Sequence, residues 1–337
     1  MLTSYLLSPG NIELRNIPTP SPAAGEVLVR IKASLTCGTD LKAYLRGHPM
    51  IPMPGPFGHE FSGVIEKAGA EVNKFREGYE VMCVHSAPCG TCPYCITGSY
   101  NLCESIMSSK ILGAFAEYIL IPEHIVKQNL YIKPPSVSFE EAALIEPLAC
   151  VVHGLNQLDI SKGSTTVVIG SGPIGLIHLA LLKMRGASVI IAARNESRLK
   201  TAEQLGADRC VQPEQLQDAV NDMTNRLGAD TVLECTGQPE VWERSVNYVR
   251  RGGTVLLFGG CKKGTRVSFD TYRLHYDEIT LKGSFHFTPG DVAKARDLLE
   301  QGLDLSALIT GSYHLADIEK ALMRLSSSDG LKYAIIP

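Results

Sequence analysis

Two textures of apolar and polar positions divide the chain. Up to about residue 60 the pattern is short strands and turns. Val27–Ser34 alternates around Val27, Val29, Ile31 and Ala33, the period of a half-buried strand. Pro18, Pro20, Pro22, Pro49, Pro52, Pro54 and Pro56 break up any helix there. Residues 61–145 continue in this style around a cysteine-rich insert near residues 89–103. After about residue 150 the runs change length and period. Thr165–Ile169, Ser188–Ala192, Thr231–Glu234 and Thr254–Phe258 predict buried strands. Ile174–Arg185, Glu196–Leu205 (Leu199, Ala202 and Leu205 three apart) and Pro239–Val249 predict helices. Strands alternating with helices predict an α/β, doubly wound parallel sheet. A further helix over Asp291–Glu300 and a strand-like end are compatible with either half.

The chain has 337 residues, enough for roughly two domains of about 150 residues each. Hydrophobic residues make up 45% and the formal net charge is −3, so nothing in the balance points to nucleic acid or an anionic membrane as partner. The most apolar stretch, Thr165–Met184, is interrupted by Gly170, Gly172, Pro173 and Gly175 and falls short of a membrane span. The first residues lack the basic region of a secretory leader, so a cytoplasmic protein is expected. There, ten cysteines stay reduced, and clustered ones read as metal ligands.

Gly170-Ser-Gly172-Pro173-Ile174-Gly175 follows a predicted strand and opens a predicted helix, the setting a dinucleotide-binding loop requires. Gly170 permits the turn, Gly172 admits the pyrophosphate to the backbone and Gly175 lets helix and strand pack closely. NAD-specific sites carry an acidic residue at the end of the next strand, for the ribose 2′-hydroxyl. Here that end reads Ala193-Arg194-Asn-Glu196, with Arg198 four residues beyond Arg194. A small residue beside guanidinium donors suits a 2′-phosphate, which makes NADP(H) the expected cofactor. The alternatives are solvated arginines with Glu196 as the ribose acid.

Cys89, Cys92, Cys95 and Cys103 have the number and spacing to close a tetrahedral zinc site with no open position, hence a structural one; an iron–sulfur cluster is the competing reading. Cys83, Cys150, Cys210, Cys235 and Cys261 lie in apolar surroundings and are expected to be core packing. Cys37-Gly-Thr39-Asp40 and Gly58-His59-Glu60 sit in loop-like stretches and supply good zinc donors. Each motif alone is a weak signal.

In order, the motif at Cys37, Gly58-His-Glu-Phe-Ser-Gly63, the four-cysteine lobe, Glu146-Pro-Leu148 and the Gly170 loop resemble the zinc-containing medium-chain dehydrogenases over essentially the whole chain. The sorbitol and ketose reductase branch is nearest. The resemblance implies a GroES-like β domain over 1–150 and 287–337, with a zinc lobe at about 83–108, and a Rossmann domain over 151–286. It implies two zinc ions per chain, Cys37, His59 and Glu60 holding the catalytic one. Glu146 would bind it directly or hold its water, and Thr39 would relay the substrate proton. Ala193, Arg194 and Arg198 resemble the 2′-phosphate contacts of NADP(H)-using relatives. A homodimer or homotetramer is also implied.

The implied activity is hydride transfer between NADP(H) and a secondary alcohol or ketone, the polarised oxygen sitting on the metal. A polyol, sugar or amino-polyol is the favoured substrate class. Lys42-Ala43 and His286-Phe287 stand where polyol dehydrogenases often show His-Tyr and Arg-Tyr, which is a departure at substrate-contacting positions. A threonine-type 3-hydroxy amino acid dehydrogenase is the alternative enzyme, and a non-catalytic dinucleotide-binding sensor the alternative from another class. His48, His85, His124, His153, His178, His275 and His314 show no evident partner and are expected to be structural.

Overall fold

The computed structural model describes residues 1–337. The chain divides into two compact units, Met1–Cys150 with Phe287–Pro337, and Val151–His286.

The first unit is built on a seven-stranded sheet. Its main path runs Ile309–His314, Lys332–Ile336, Val27–Leu35, Glu60–Ala68, Glu80–Cys83, Leu130–Ile132, and Tyr118–Ile121 pairs with Val27–Leu35. The alternation at Val27–Ile31 puts those side chains into a core with Phe61, Ile65, Val81 and Ile121. The strand near the C-terminus is antiparallel to Val27–Leu35, with Ala334 opposite Leu35 and Ile335 opposite Ser34. Residues 287–337 thus complete a sheet begun some 300 residues earlier.

Despite the prolines, the first sixty residues hold a helix, Gly38–Arg46. The loop expected around Cys37 is instead a helix start. Cys37 is the N-cap, its Sγ accepting from Thr39 N (3.5 Å), and Asp40 Oδ2 accepts from Cys37 N (3.2 Å). This reciprocal capping box satisfies first-turn donors. The intervening prolines lie outside the helix, so they never oppose it. Phe139–Ala143 is likewise helical, capped reciprocally by Ser138 and Glu141.

The second unit is a six-stranded parallel sheet ordered Arg209–Val211, Ser188–Ala192, Thr165–Ile169, Ala229–Glu234, Val249–Leu257, Thr280–Gly283. By sequence this is 3-2-1-4-5-6, the Rossmann order. Val167, Val168, Val189, Ile190, Ile191, Val232, Leu233, Val255 and Leu256 are all fully buried. Burial of consecutive residues means both faces are covered, as parallel sheets require. Arg209–Val211 and Thr280–Gly283 escape the pattern reading because they are short edge strands with mixed burial. The expected helix over Pro239–Val249 ends at Ser245, and Val249 already belongs to the next strand, whose β-branched core residues pair with Ala229–Glu234. No helix in the chain is long and apolar enough to cross a membrane.

Candidate metal centres and dinucleotide site

In the first unit, chain folding gathers donors from three distant segments. Cys37 and Asp40 come from the N-cap and first turn of the helix Gly38–Arg46, His59 and Glu60 from the residue before and the first residue of the strand Glu60–Ala68, and Glu146 from the first turn of the helix Ile145–Asn156. Ligand atoms of Cys37, Asp40 and His59 lie within 4.8 Å of one another, as do those of His59, Glu60 and Glu146. His59 belongs to both triplets and sits at the centre. Asp40 Oδ1 lies 3.3 Å from His59 Nδ1, within ion-pair distance.

Glu60 is fully buried, and so is its partner. Lys332 Nζ donates to both Glu60 oxygens (2.6 Å to Oε1) and to Thr36 O at 3.2 Å. Burial raises the Glu60 carboxyl above its ordinary range against the pull of Lys332. Burial pushes Glu146 up to about 7. Burial works to lower His59, but the charges of Asp40 and Cys37 outweigh it and the imidazole is raised well above its usual value. Burying three carboxylates and an imidazole beside the half-buried Cys37 is costly with Lys332 as the one compensating cation. Asp40 Oδ1 is moreover buried, with no hydrogen bond of regular geometry beside its 3.3 Å ion-pair contact with His59 Nδ1. The donor set, nitrogen, sulfur and carboxylate oxygen, suits zinc.

Four residues here lay outside the sequence reading of the site. Asp40 was visible only as part of the Cys37 motif. Lys332 lies 272 residues from Glu60. His85, expected to be merely structural, has Nδ1 3.5 Å from Glu146 Oε1, its ring 5.2 Å from that of His59 and 5.9 Å from that of Phe287. Cys150, expected to be core packing, donates its thiol toward Glu146 Oε1 at 3.8 Å. A helical spacing of four from Glu146 is the one local signal that could have found Cys150.

The second cluster is the cysteine lobe. Cys89, Cys92, Cys95 and Cys103 Sγ atoms all lie within 4.8 Å of one another, with Cys92–Cys95 at 3.6 Å and Cys89–Cys95 at 4.0 Å. Zn–S bonds of about 2.3 Å in a tetrahedron would put sulfurs about 3.8 Å apart. The cage has room for one ion, not for a multi-iron cluster. Backbone N–H groups of Thr91 (3.5 Å) and Cys92 (3.4 Å) point at Cys89 Sγ, and that of Cys89 (3.3 Å) at Cys103 Sγ. The Thr91 N–H and hydroxyl are the main reasons the Cys89 thiol falls to about 5. Around these sulfurs the lobe buries little besides Ile106, with Met107 partly buried, so it has almost no apolar core of its own.

In the second unit, Gly170 has φ +111°, and a Cβ on Gly175 would stand 1.9 Å from Gly170 O. Gly172, the N-cap of the helix Pro173–Met184, faces open space, so the backbone at Pro173 and Ile174 is approachable by a ligand. Gly170 packs beside Thr236, whose backbone N–H (2.7 Å) and hydroxyl donate to the buried Glu234. These residues end the strands Thr165–Ile169 and Ala229–Glu234, where the strand order reverses, the position at which such sheets bind nucleotides. The Thr236–Gly237 wall was not foreseen from sequence. At the end of the next strand Ala193 is buried, Arg194 exposed and Arg198 half-buried, while Asn195 Oδ1 caps the following helix by accepting from Arg198 N (3.0 Å).

A GroES-like unit bearing a mixed nitrogen, sulfur and oxygen donor cluster and a four-cysteine cage, joined to a Rossmann unit, defines a zinc-binding dehydrogenase. Comparison agrees: an alcohol dehydrogenase GroES-like domain matches residues 23–130 and a zinc-binding dehydrogenase domain residues 173–301. The chain is 31% identical to a sorbitol dehydrogenase of Halalkalibacterium halodurans, over 97% of this chain and 96% of that one. It is 32% identical to D-arabinitol dehydrogenase 1 of Uromyces fabae, over 100% and 97%. A zinc-binding dehydrogenase structure from Sinorhizobium meliloti 1021, bound to NADP, superposes with a TM-score of 0.90 at 30% identity, covering 100% of this chain and 99% of that one. The chain belongs to the zinc-containing medium-chain dehydrogenase superfamily, in its sorbitol dehydrogenase-like branch.

Proposed function

We propose that this protein transfers hydride between NADP(H) and a secondary alcohol or its ketone, with a polyol or sugar as substrate class. The observation that carries the reading is the convergence of Cys37, Asp40, His59, Glu60 and Glu146 into two donor triplets that share His59, all buried but the half-buried Cys37. Cys37, His59 and the carboxylates of Glu60 and Glu146 are the residues that would hold a zinc ion there. When bound, zinc supplies Lewis acidity toward the substrate oxygen.

The chain's own groups set up the rest. At the N-cap, the Cys37 sulfur accepts the Thr39 backbone N–H and sits at the amino end of the helix Gly38–Arg46, which fixes its position beside His59 and Asp40. Asp40 orients His59 from behind. Lys332 balances Glu60 and limits how far that carboxylate swings. Thr39, two residues from Cys37, carries a hydroxyl able to accept a proton from the substrate alcohol and pass one on. The Gly170–Gly175 loop would take the pyrophosphate on the free N–H groups of its helix, and Arg194 with Arg198 a 2′-phosphate. The polyol relatives and the NADP-bound neighbour support this reading. A cytoplasmic homo-oligomer completes it.

The test is metal analysis together with an alcohol and ketone panel run with NADP(H) and NAD(H) side by side. Two zinc ions per chain and turnover preferring NADP(H) are expected, with Cys37→Ala losing one ion and activity. A large NAD(H) preference would overturn the role of Arg194. A single lobe zinc, bound dinucleotide and no turnover on the panel would make the protein a sensor instead.

A further inference from the structure

The second unit has a cavity at the amino ends of its strands, the opposite end of the sheet from the glycine loop. Its volume is about 460 Å³, and it is lined by Arg226, Arg250, Arg251 and Arg273, within the size range of small-molecule sites. We propose that this cavity binds a small phosphorylated ligand carrying two negative charges.

The four arginines are not equivalent. Arg273 is committed to the fold: its guanidinium donates to Val246 O (3.0 and 2.7 Å) and Val249 O (2.7 Å), and pairs with Asp277 (3.1 Å). Arg250 donates through Nε to Asp230 (2.7 Å) and through Nη1 to Arg251 O (2.7 Å), which leaves Nη2. Arg251 touches the same Asp277 through Nε alone (2.9 Å), so its two terminal nitrogens remain. Arg226 forms no ion pair, and its backbone is held at φ +64° directly after Asn225 at φ +49°. Two consecutive left-handed residues other than glycine are costly, and such strain gathers at binding sites.

Charge makes the cavity selective. Four guanidiniums face two carboxylates, Asp230 and Asp277, a local excess of two positive charges in a chain of net charge −3. A phosphate dianion cancels that excess. Its tetrahedral oxygens match the paired donors of guanidinium, better than a single carboxylate would. The side-chain amides of Gln217, Asn221 and Asn247 also line the cavity and can address hydroxyls on the body of the ligand. The overall negative charge disfavours a long polyanion.

Isothermal titration calorimetry on the full-length protein tests this, with inorganic phosphate and glucose 6-phosphate as probes. Saturable binding is expected, tighter for the sugar phosphate. Arg226→Gln and Arg251→Gln should each weaken it about tenfold, the worth of a charge-assisted hydrogen bond, while Arg194→Ala leaves it unchanged. Both arginines are exposed, so circular dichroism should show these variants folded. No saturable heat would overturn the proposal. So would binding that survives in the Arg226→Gln/Arg251→Gln double variant, or binding lost in Arg194→Ala, which would place the phosphate at the glycine loop.

Discussion

Replacing Lys332 by Met tests whether the Glu60 pair holds the first unit together. The methionine keeps the length and apolar stem of the lysine and removes only the ammonium. In protein stripped of metal by chelator it leaves the fully buried Glu60 without a cation. Breaking such a pair from one side costs about 3–5 kcal/mol, against a total stability of about 5–15 kcal/mol for a typical domain. Restoring balance with Glu60→Leu in the same chain should recover most of that loss, since an apolar pair can replace a buried ionic one at little cost. The single tryptophan, Trp242, lies in the second unit, so its fluorescence cannot report the effect. Hydrogen exchange followed by mass spectrometry can, read on peptides covering Val27–Leu35, Glu60–Ala68 and Lys332–Ile336. The deficit should depend on pH with a definite sign. Removing the attraction of Lys332 lets burial raise the Glu60 carboxyl further. A carboxyl whose folded value lies above its unfolded value favours folding at low pH and loses that contribution as pH rises. The variant should therefore be nearest to wild type in acid and worst at neutral pH. A deficit below about 1 kcal/mol, the size of a surface pair, or no recovery in the double variant, would refute the reasoning.

Three further outcomes are expected. Metal occupancy of the His59 cluster under a fixed concentration of chelator should fall as pH drops through about 7, because the proton that Glu146 takes up there competes with the cation; with metal removed, the same shift makes rising pH destabilising between the ordinary glutamate range and about 7. Occupancy that is flat across that window would count against Glu146 at the site. Cys103→Ser should lose one ion per chain and leave residues 89–110 open to protease while the rest stays protected, since the lobe buries almost no apolar surface beyond its sulfurs; limited proteolysis with peptide mapping checks it. Arg194→Ala should raise KM for NADPH about tenfold or more with little change for NADH, and steady-state kinetics with equal loss for both cofactors would remove the 2′-phosphate role.

What could be read from the sequence was whatever local spacing encodes. The turn at Gly170, the close approach at Gly175 and the four-cysteine spacing are fixed within a few residues of chain, so their geometry follows from residue type alone. Strand–helix alternation showed the parallel sheet because both its faces are buried. The contacts around His59 were only half legible. Cys37 and His59 carry the donors, but Lys332 reaches Glu60 only through the pairing of Lys332–Ile336 with Val27–Leu35, and no local pattern marks a lysine destined for burial. His85 looked ordinary for the same reason: what distinguishes it is the proximity of Glu146 and Phe287. The helix at Gly38 was hidden by surrounding prolines, although its cap pair, Cys37 and Asp40, stood in view.

The discontinuity of the first unit bears on synthesis. Val27–Leu35 leaves the ribosome early, yet its neighbour at Lys332–Ile336 comes about 300 residues later, some tens of seconds at ordinary translation rates. Throughout that interval an open sheet edge and the uncompensated carboxylate of Glu60 wait for a partner. The second unit, Val151–His286, is contiguous and can finish first. The nascent chain therefore passes through a stage with its middle folded and its beginning unfinished, the stage at which chaperone binding or edge-to-edge association between neighbouring chains would act.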